Sequence, residues 1–373
     1  MNSTTSRTNP SGQPSLLFAP LTPLLSRLRL GGKVALISGL LIAVIGVLLI
    51  KSFLHTSEDI EVTRTEIKGS AAAAQAKDLI TEVLRHRGQT YLALSGSTDA
   101  KAARPKTRET IAKMTATFDG QVAALDMTAT WAPLKTELQR VTSDQGSQDA
   151  KASVVEHTNL MRKLYEFNML AAEKSGLTLD PESVSYYLGS LTVERTFPYV
   201  DAVTSIRTVG TLALQFGEWK NADTLTLQTQ LAQLADGEQG IQRQLDSLKR
   251  ANFEQPKTWA PAKAATDAFV ASVVALQKEG KIQGDPAAHV TRGAETVDKI
   301  NAFHQEASQA LVDILVAREA QMVRQRNVQA AVAFAVVLLS VYLVAGTLYG
   351  IRRSAQALQD GAQRVVSGNL TQS

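Results

Sequence analysis

Val34 to Ile50 reads VALISGLLIAVIGVLLI, and Val328 to Tyr349 reads VQAAVAFAVVLLSVYLVAGTLY. Neither run holds a charged residue. Crossing a hydrocarbon core of ~30 Å takes ~20 apolar residues in a helix. With Lys51-Ser52-Phe53-Leu54 behind it, the first run approaches that length, and both are read as membrane-spanning helices. A cleaved signal peptide would carry an apolar core of ~7–15 residues and a small-residue cleavage site. The first run shows neither, and 33 residues precede it, so it is expected to be a retained anchor.

Charge sets the expected orientation. Arg27, Arg29 and Lys33 precede the first run, and Arg352, Arg353 and Arg364 follow the second. Short basic flanks mark the cytoplasmic side. Both ends are therefore expected in the cytoplasm and the 275 residues from Ser52 to Arg326 outside. The net charge of +4 is unevenly spread: the middle holds 31 Lys/Arg against 34 Asp/Glu, while the flanks hold eight Lys/Arg and only Asp360. A nucleic-acid surface would place the excess on the folded domain. No nucleic-acid partner is expected, and the basic ends suit membrane lipid. The absence of Cys excludes disulfide scaffolds, thiolate zinc sites, iron–sulfur clusters and Cys nucleophiles.

The expected organisation is a cytoplasmic tail over 1–33, a first span over 34–51, an exported helical domain over 52–327, a second span over 328–350 and a cytoplasmic helix over 351–373. Only 5% of residues are aromatic, which favours helices over a sandwich of sheets. Breaks at Ser95-Gly96-Ser97, Asp126–Pro133, Ser143–Ser147, Ser175–Pro181, Gly217, Pro256–Pro261 and Gly280–Pro286 predict helices near 52–95, 99–125, 133–142, 150–174, 183–216, 220–253, 260–279 and 286–327. Pro198 is expected to kink the fifth. The fold class is all-α, with two transmembrane helices flanking an elongated periplasmic bundle. Six of the eight segments are too short to run its full height. Two stacked four-helix bundles sharing two long helices are therefore expected.

One arginine stands out by helical phase. Ile80, Val83, Leu84, Tyr91 and Leu94 share a face, and Arg87 lies in its middle, while Arg85 points elsewhere. A guanidinium in an apolar stripe needs an anion: a carboxylate on a facing helix, or a bound ligand. Arg195 follows Val184, Leu188 and Leu191 in the same way. Tyr91, Tyr186 and Tyr187 could offer hydroxyls to a carboxylate or serve as core residues with a satisfied polar tip. The candidate ligand-binding residues are thus Arg87, Tyr91, Arg195, Tyr187, Tyr186 and Arg85. Arg207, at the edge of its apolar face, is expected in a surface ion pair. Trp131, Trp219 and Trp259 are expected to pack at helix starts. His55, His86, His157, His289 and His304 show no metal-ligand spacing, and no nucleophile elbow, phosphate loop or dinucleotide glycine pattern occurs. No catalytic residue, metal or cofactor is expected.

After the second run, apolar residues at 351, 355, 358, 362, 365 and 366 form an amphipathic stripe of coiled-coil type. The ending Gly368-Asn369-Leu370 resembles the G-[DN]-L that closes the first helix of a HAMP module, although Ser354 stands near the place where such helices usually carry Pro. Ser26-Arg-Leu-Arg-Leu-Gly-Gly-Lys33 is similar to the basic segment before the first span of many bacterial receptors. Leu84-Arg-His-Arg-Gly88 and Ser175–Pro181, followed by Tyr186-Tyr-Leu188, look like stretches of all-helical sensor domains. Together these residues resemble the front half of a transmembrane chemoreceptor, a methyl-accepting chemotaxis protein. The resemblance implies a homodimer in the bacterial inner membrane. Its central domain would be periplasmic and would take a small-molecule ligand, an organic acid being favoured. A helix shift would pass through HAMP to cytoplasmic signalling proteins. The same front end serves histidine kinases and diguanylate cyclases, and a membrane scaffold reading a partner protein is a rival of another class.

Overall fold

The computed structural model describes residue 28, residues 30–278 and residues 282–366. Among them the only regular elements are helices: α1 (Leu30–Leu94), α2 (Thr98–Ala124), α3 (Thr128–Thr142), α4 (Ala150–Ser175), α5 (Ser183–Ser190), α6 (Thr196–Phe216), α7 (Asn221–Arg250), α8 (Trp259–Lys278) and α9 (Pro286–Val366). A π-helical turn, Leu191–Arg195, joins α5 to α6, and a 3₁₀ turn, Leu177–Leu179, follows α4. The chain is all-α. It divides into two compact units, Asp59–Gln321 and the pair Met1–Glu58 with Met322–Ser373.

In the second of these units the two apolar runs keep their large side chains exposed, Leu40, Val47, Phe334 and Tyr342 among them. A buried core helix would cover such residues. Two helices are therefore long and apolar enough to cross a membrane. They run antiparallel: Gly31 lies against Leu348, and the Arg326 guanidinium stands 5.6 Å from the Phe53 ring. The expected Gly368-Asn369-Leu370 motif lies outside the described residues.

In the unit Asp59–Gln321, helix ends follow local chemistry. Ser97 caps α2 by accepting the Ala100 N–H at 3.3 Å, Asp149 caps α4 through Ala152 N–H at 2.8 Å, and Asp285 caps α9 through Ala287 N–H at 2.9 Å. Gly176 and Gly217 close α4 and α6 in the left-handed region, at φ 89° and 67°. α3 begins five residues before Pro133, because buried Trp131 draws an extra turn onto the core and donates its indole N–H to Asp119 at 2.7 Å.

Pro198 acts on the turn before it. A proline has no N–H to give the carbonyl of Glu194, and the helix widens before it. Thr196 N–H bonds Leu191 O, five residues back, instead of Thr192 O. Side chains from other helices take the freed carbonyls. His304 Nε2 meets Thr192 O at 3.0 Å, Asn168 donates to Val193 O at 3.4 Å, and the Tyr165 hydroxyl donates to Glu194 O at 3.4 Å.

A main core with two aromatic knots runs through the unit, and a smaller cluster of Leu92, Ala100 and Leu212 lies apart from it. Phe118, Trp131 and Phe167 join α2, α3 and α4; Tyr199, Trp259 and Phe303 join α6, α8 and α9. Contacts along α1 place neighbouring helices at matching heights. Glu66 lies beside the turn after α4 and beside Arg318 of α9, His86 beside His157 of α4, and Arg87 beside Asp201 of α6. α1 thus lies beside α4, α6 and α9 along this stretch, and these contacts do not establish the two stacked bundles that helix lengths had suggested. Helix length alone does not distinguish short rods placed end to end from rods placed abreast.

Candidate functional site

α1, α4, α6 and α7 enclose a cleft of about 410 Å³. α1 contributes Arg87, Gly88 and Tyr91; α6 contributes Asp201, Ser205 and Thr208; α4 and α7 close the sides with Lys151, Thr158, Asp223, Gln230 and Gln233. α6 can line such a cleft because its other faces are nearly all apolar: Asp201 and Arg207 are its only charged residues.

Arg87 is placed as its helical phase requires. Its side chain is 8% exposed, with buried Ile80, Val83 and Leu84 on the same face. Its anion is internal: Nη2 donates to Asp201 Oδ1 at 2.7 Å and to Ser205 Oγ at 2.9 Å. Asp201 is itself 41% exposed, so the pair has one buried and one open member. The Tyr91 hydroxyl is held above its ordinary pKa by burial first, then by Asp223, and stays a neutral hydrogen-bond donor. Gln230 Oε1 is buried on the cleft wall with no donor among the described residues.

Arg195 lines an adjoining hollow of about 320 Å³, which shares Thr158, Asp201 and Gln233 with the first. Its stem passes over Gly240, its Nη2 stands 3.6 Å from Glu194, and its buried Nε has no acceptor among the described residues. The fold therefore gathers Arg87, Tyr91 and Arg195 around Asp201. It does not bring in the other three candidates. Arg85 is 45% exposed and pairs with Glu82 at 3.5 Å. Tyr186 and Tyr187 pack on each other at 5.6 Å in α5 and line neither hollow.

Arg207 departs from expectation. It is buried, with no ion pair among the described residues. Burial, then repulsion from Arg85 and Arg87, bring its pKa down to about 10. Its stem fills the space left by Gly293, where a Cβ would collide with it. That space arises only when α9 meets α6.

Asp201, Lys151, Asp223 and Gln230 were not singled out by sequence. For Asp201 a signal existed: it is the lone acid of a 21-residue helix, and a lone acid on an apolar helix calls for a cation. No known protein family, curated protein or solved structure matches this chain.

Proposed function

We infer that this chain is the sensory front end of a bacterial transmembrane receptor of the chemoreceptor type. In this reading it is a homodimer anchored in the inner membrane through both apolar runs, with its helical unit periplasmic and both termini cytoplasmic. A small organic anion enters the cleft, and α1 shifts against its neighbours by ~1–2 Å. The second span carries the shift to a HAMP-like helix and on to cytoplasmic signalling proteins for chemotaxis.

The observation that supports the reading is the asymmetric Arg87–Asp201 pair. A guanidinium buried in apolar surroundings keeps its value only with an anion beside it. Its present partner lies at the open side of a cleft that a small molecule can enter. An incoming carboxylate can replace Asp201 on Arg87, and the freed Asp201 returns to water. The two packings then differ in what holds α1 to α6, which is the unequal affinity a ligand needs to shift an equilibrium.

The test is thermal melting of the purified chain with a panel of mono-, di- and tricarboxylates. At least one should raise the midpoint in the wild type and fail to do so in Arg87→Ala. Asp201→Asn, which removes the internal competitor, should bind that acid more tightly. A flat response across the panel in both wild type and Asp201→Asn would count against small-anion sensing.

A further inference from the structure

Away from the cleft, a second group of buried charges joins α1 to α9 through the turn after α4. Glu66 of α1 is 2% exposed, and the Asp180 side chain, in that turn, is fully buried. Both face Arg318 of α9, whose Nη1 lies 3.3 Å from Glu66 Oε2 and 3.2 Å from Asp180 Oδ2. Arg318 Nη2 reaches the exposed Glu182 at 3.0 Å and donates to Ser185 Oγ at 2.5 Å. Asp180 is further committed, since its Oδ1 accepts the Glu182 N–H at 2.9 Å.

Charge balance decides what this geometry does. Two buried carboxylates share one guanidinium, and a third carboxylate stands at the rim. Among the described residues no other cation pairs with Glu66 or Asp180. One cation balances one buried anion; a second buried anion has no counter-charge and little exposure to solvent. Asp180 holds the better claim on Arg318 because a backbone N–H also binds it. Glu66 is left to carry the proton. Gly176 stands beside its carboxyl, and Gly69, one turn along α1, is pressed against Ser175.

We propose that Glu66, Asp180 and Arg318 form a proton-operated latch between α1 and α9. With Glu66 protonated, the Asp180–Arg318 pair is balanced and α1, the turn and α9 stay clamped. When Glu66 ionises, two anions crowd one guanidinium and α1 backs away from the turn and from α9. The groups facing Glu66 are Arg318 from α9 and Asp180 and Glu182 from the turn; on its own helix Arg64 and Lys68, two residues to either side, are exposed, and Arg64 is engaged with Glu61 and Glu319. The operating range follows from the same surroundings. Burial first and Asp180 next, opposed by Arg318, push the Glu66 carboxyl up to about 7. The latch works near neutrality and needs no ligand in the cleft.

The experiment uses the full chain in lipid nanodiscs. The sequence has no Cys, so Val62→Cys and Val316→Cys, both at exposed positions, can be spin-labelled cleanly. The distance between labels is measured from about pH 5 to about pH 9. The wild type should change distribution with a midpoint near neutrality. Glu66→Gln should hold the acid-side distribution throughout, and Asp180→Asn should move the midpoint down by at least ~1 pH unit. A wild-type distribution that ignores pH, or a Glu66→Gln variant that keeps the wild-type dependence, overturns the latch. Should Glu66→Gln lose its helical circular dichroism, infrared titration of the wild type decides. A buried carboxyl stretch that vanishes as pH rises through neutrality, and persists in the acid form of Asp180→Asn, supports the assignment to Glu66. Its absence at acid pH overturns it.

Discussion

Arg87 and Arg207 show how much one residue's fate depends on what faces it. Both are arginines on apolar helices, and both are buried. Arg87 has a carboxylate and hydroxyls to donate to, whereas Arg207 has space cleared by a glycine and no ion pair among the described residues. Removing the partner of a buried charge costs more than the pair is worth, because the remaining charge keeps its desolvation penalty. Asp201→Asn should therefore destabilise the chain by about 1–3 kcal/mol, discounted toward the low end because Asp201 is partly solvated. Arg87→Met, which removes the charge and keeps a stem of similar shape, should cost less. Urea melts of the two variants check the order. At the same scale, Gly69 admits no side chain against Ser175. Gly69→Ala should cost about 1–3 kcal/mol by overpacking, read in the same melts.

At the scale of elements, the π turn before Pro198 is the informative piece. A widened turn inside a buried helix exposes carbonyls to one another's neighbours, and each must find a donor. Here three different residues supply them: His304 from α9, and Asn168 and Tyr165 from α4. The irregularity thus ties α5–α6 to two other helices. His304→Phe should leave the Thr192 carbonyl buried without its donor and lower stability by about 1–3 kcal/mol. Tyr165→Phe, at a longer and less buried bond, should cost about 1 kcal/mol or less. Equal costs for the two variants in chemical denaturation would contradict this ranking.

Over the whole molecule, buried histidines govern acid stability. Burial first of all brings His86 to about 3, His157 and His289 to about 4 and His304 to about 3. The folded chain keeps them neutral, while the unfolded chain protonates them as pH falls below ~6.5. The unfolded state then binds more protons, so stability is present above pH ~6.5 and is lost as pH falls toward 4. The slope reaches ~1.4 kcal/mol per pH unit for each histidine. Glu66 acts in the opposite sense: its raised pKa favours the fold below its unfolded value, and that contribution fades as pH rises through about 7. Glu82, also raised by burial, acts in the same sense as Glu66, and the four histidines against these two carboxyls make the protein acid-labile. Urea midpoints should fall from pH 7.5 to pH 5 by the amount these ~1.4 kcal/mol slopes imply, and a midpoint indifferent to pH would mean the histidines are not buried neutral. A reporter fused near residue 200 tests the proposed topology at this same scale, with activity expected only on the periplasmic side.

Helix extent was legible along the chain because it is local. Caps, left-handed glycines and apolar periodicity act within one or two turns, and of the six exported segments that do not run on into an apolar stretch, five keep both expected bounds within about three residues. The uncharged runs were legible for the same reason, as was the burial of Arg87, which needs only the phase of its own helix. Partnership was not legible. That Asp201 answers Arg87, that Arg207 sinks beside Gly293 and that Arg318 gathers two carboxylates are facts about pairs of segments up to about 250 residues apart. Helical phase states which way a side chain points on its own rod; only the packing of rods decides what it meets there.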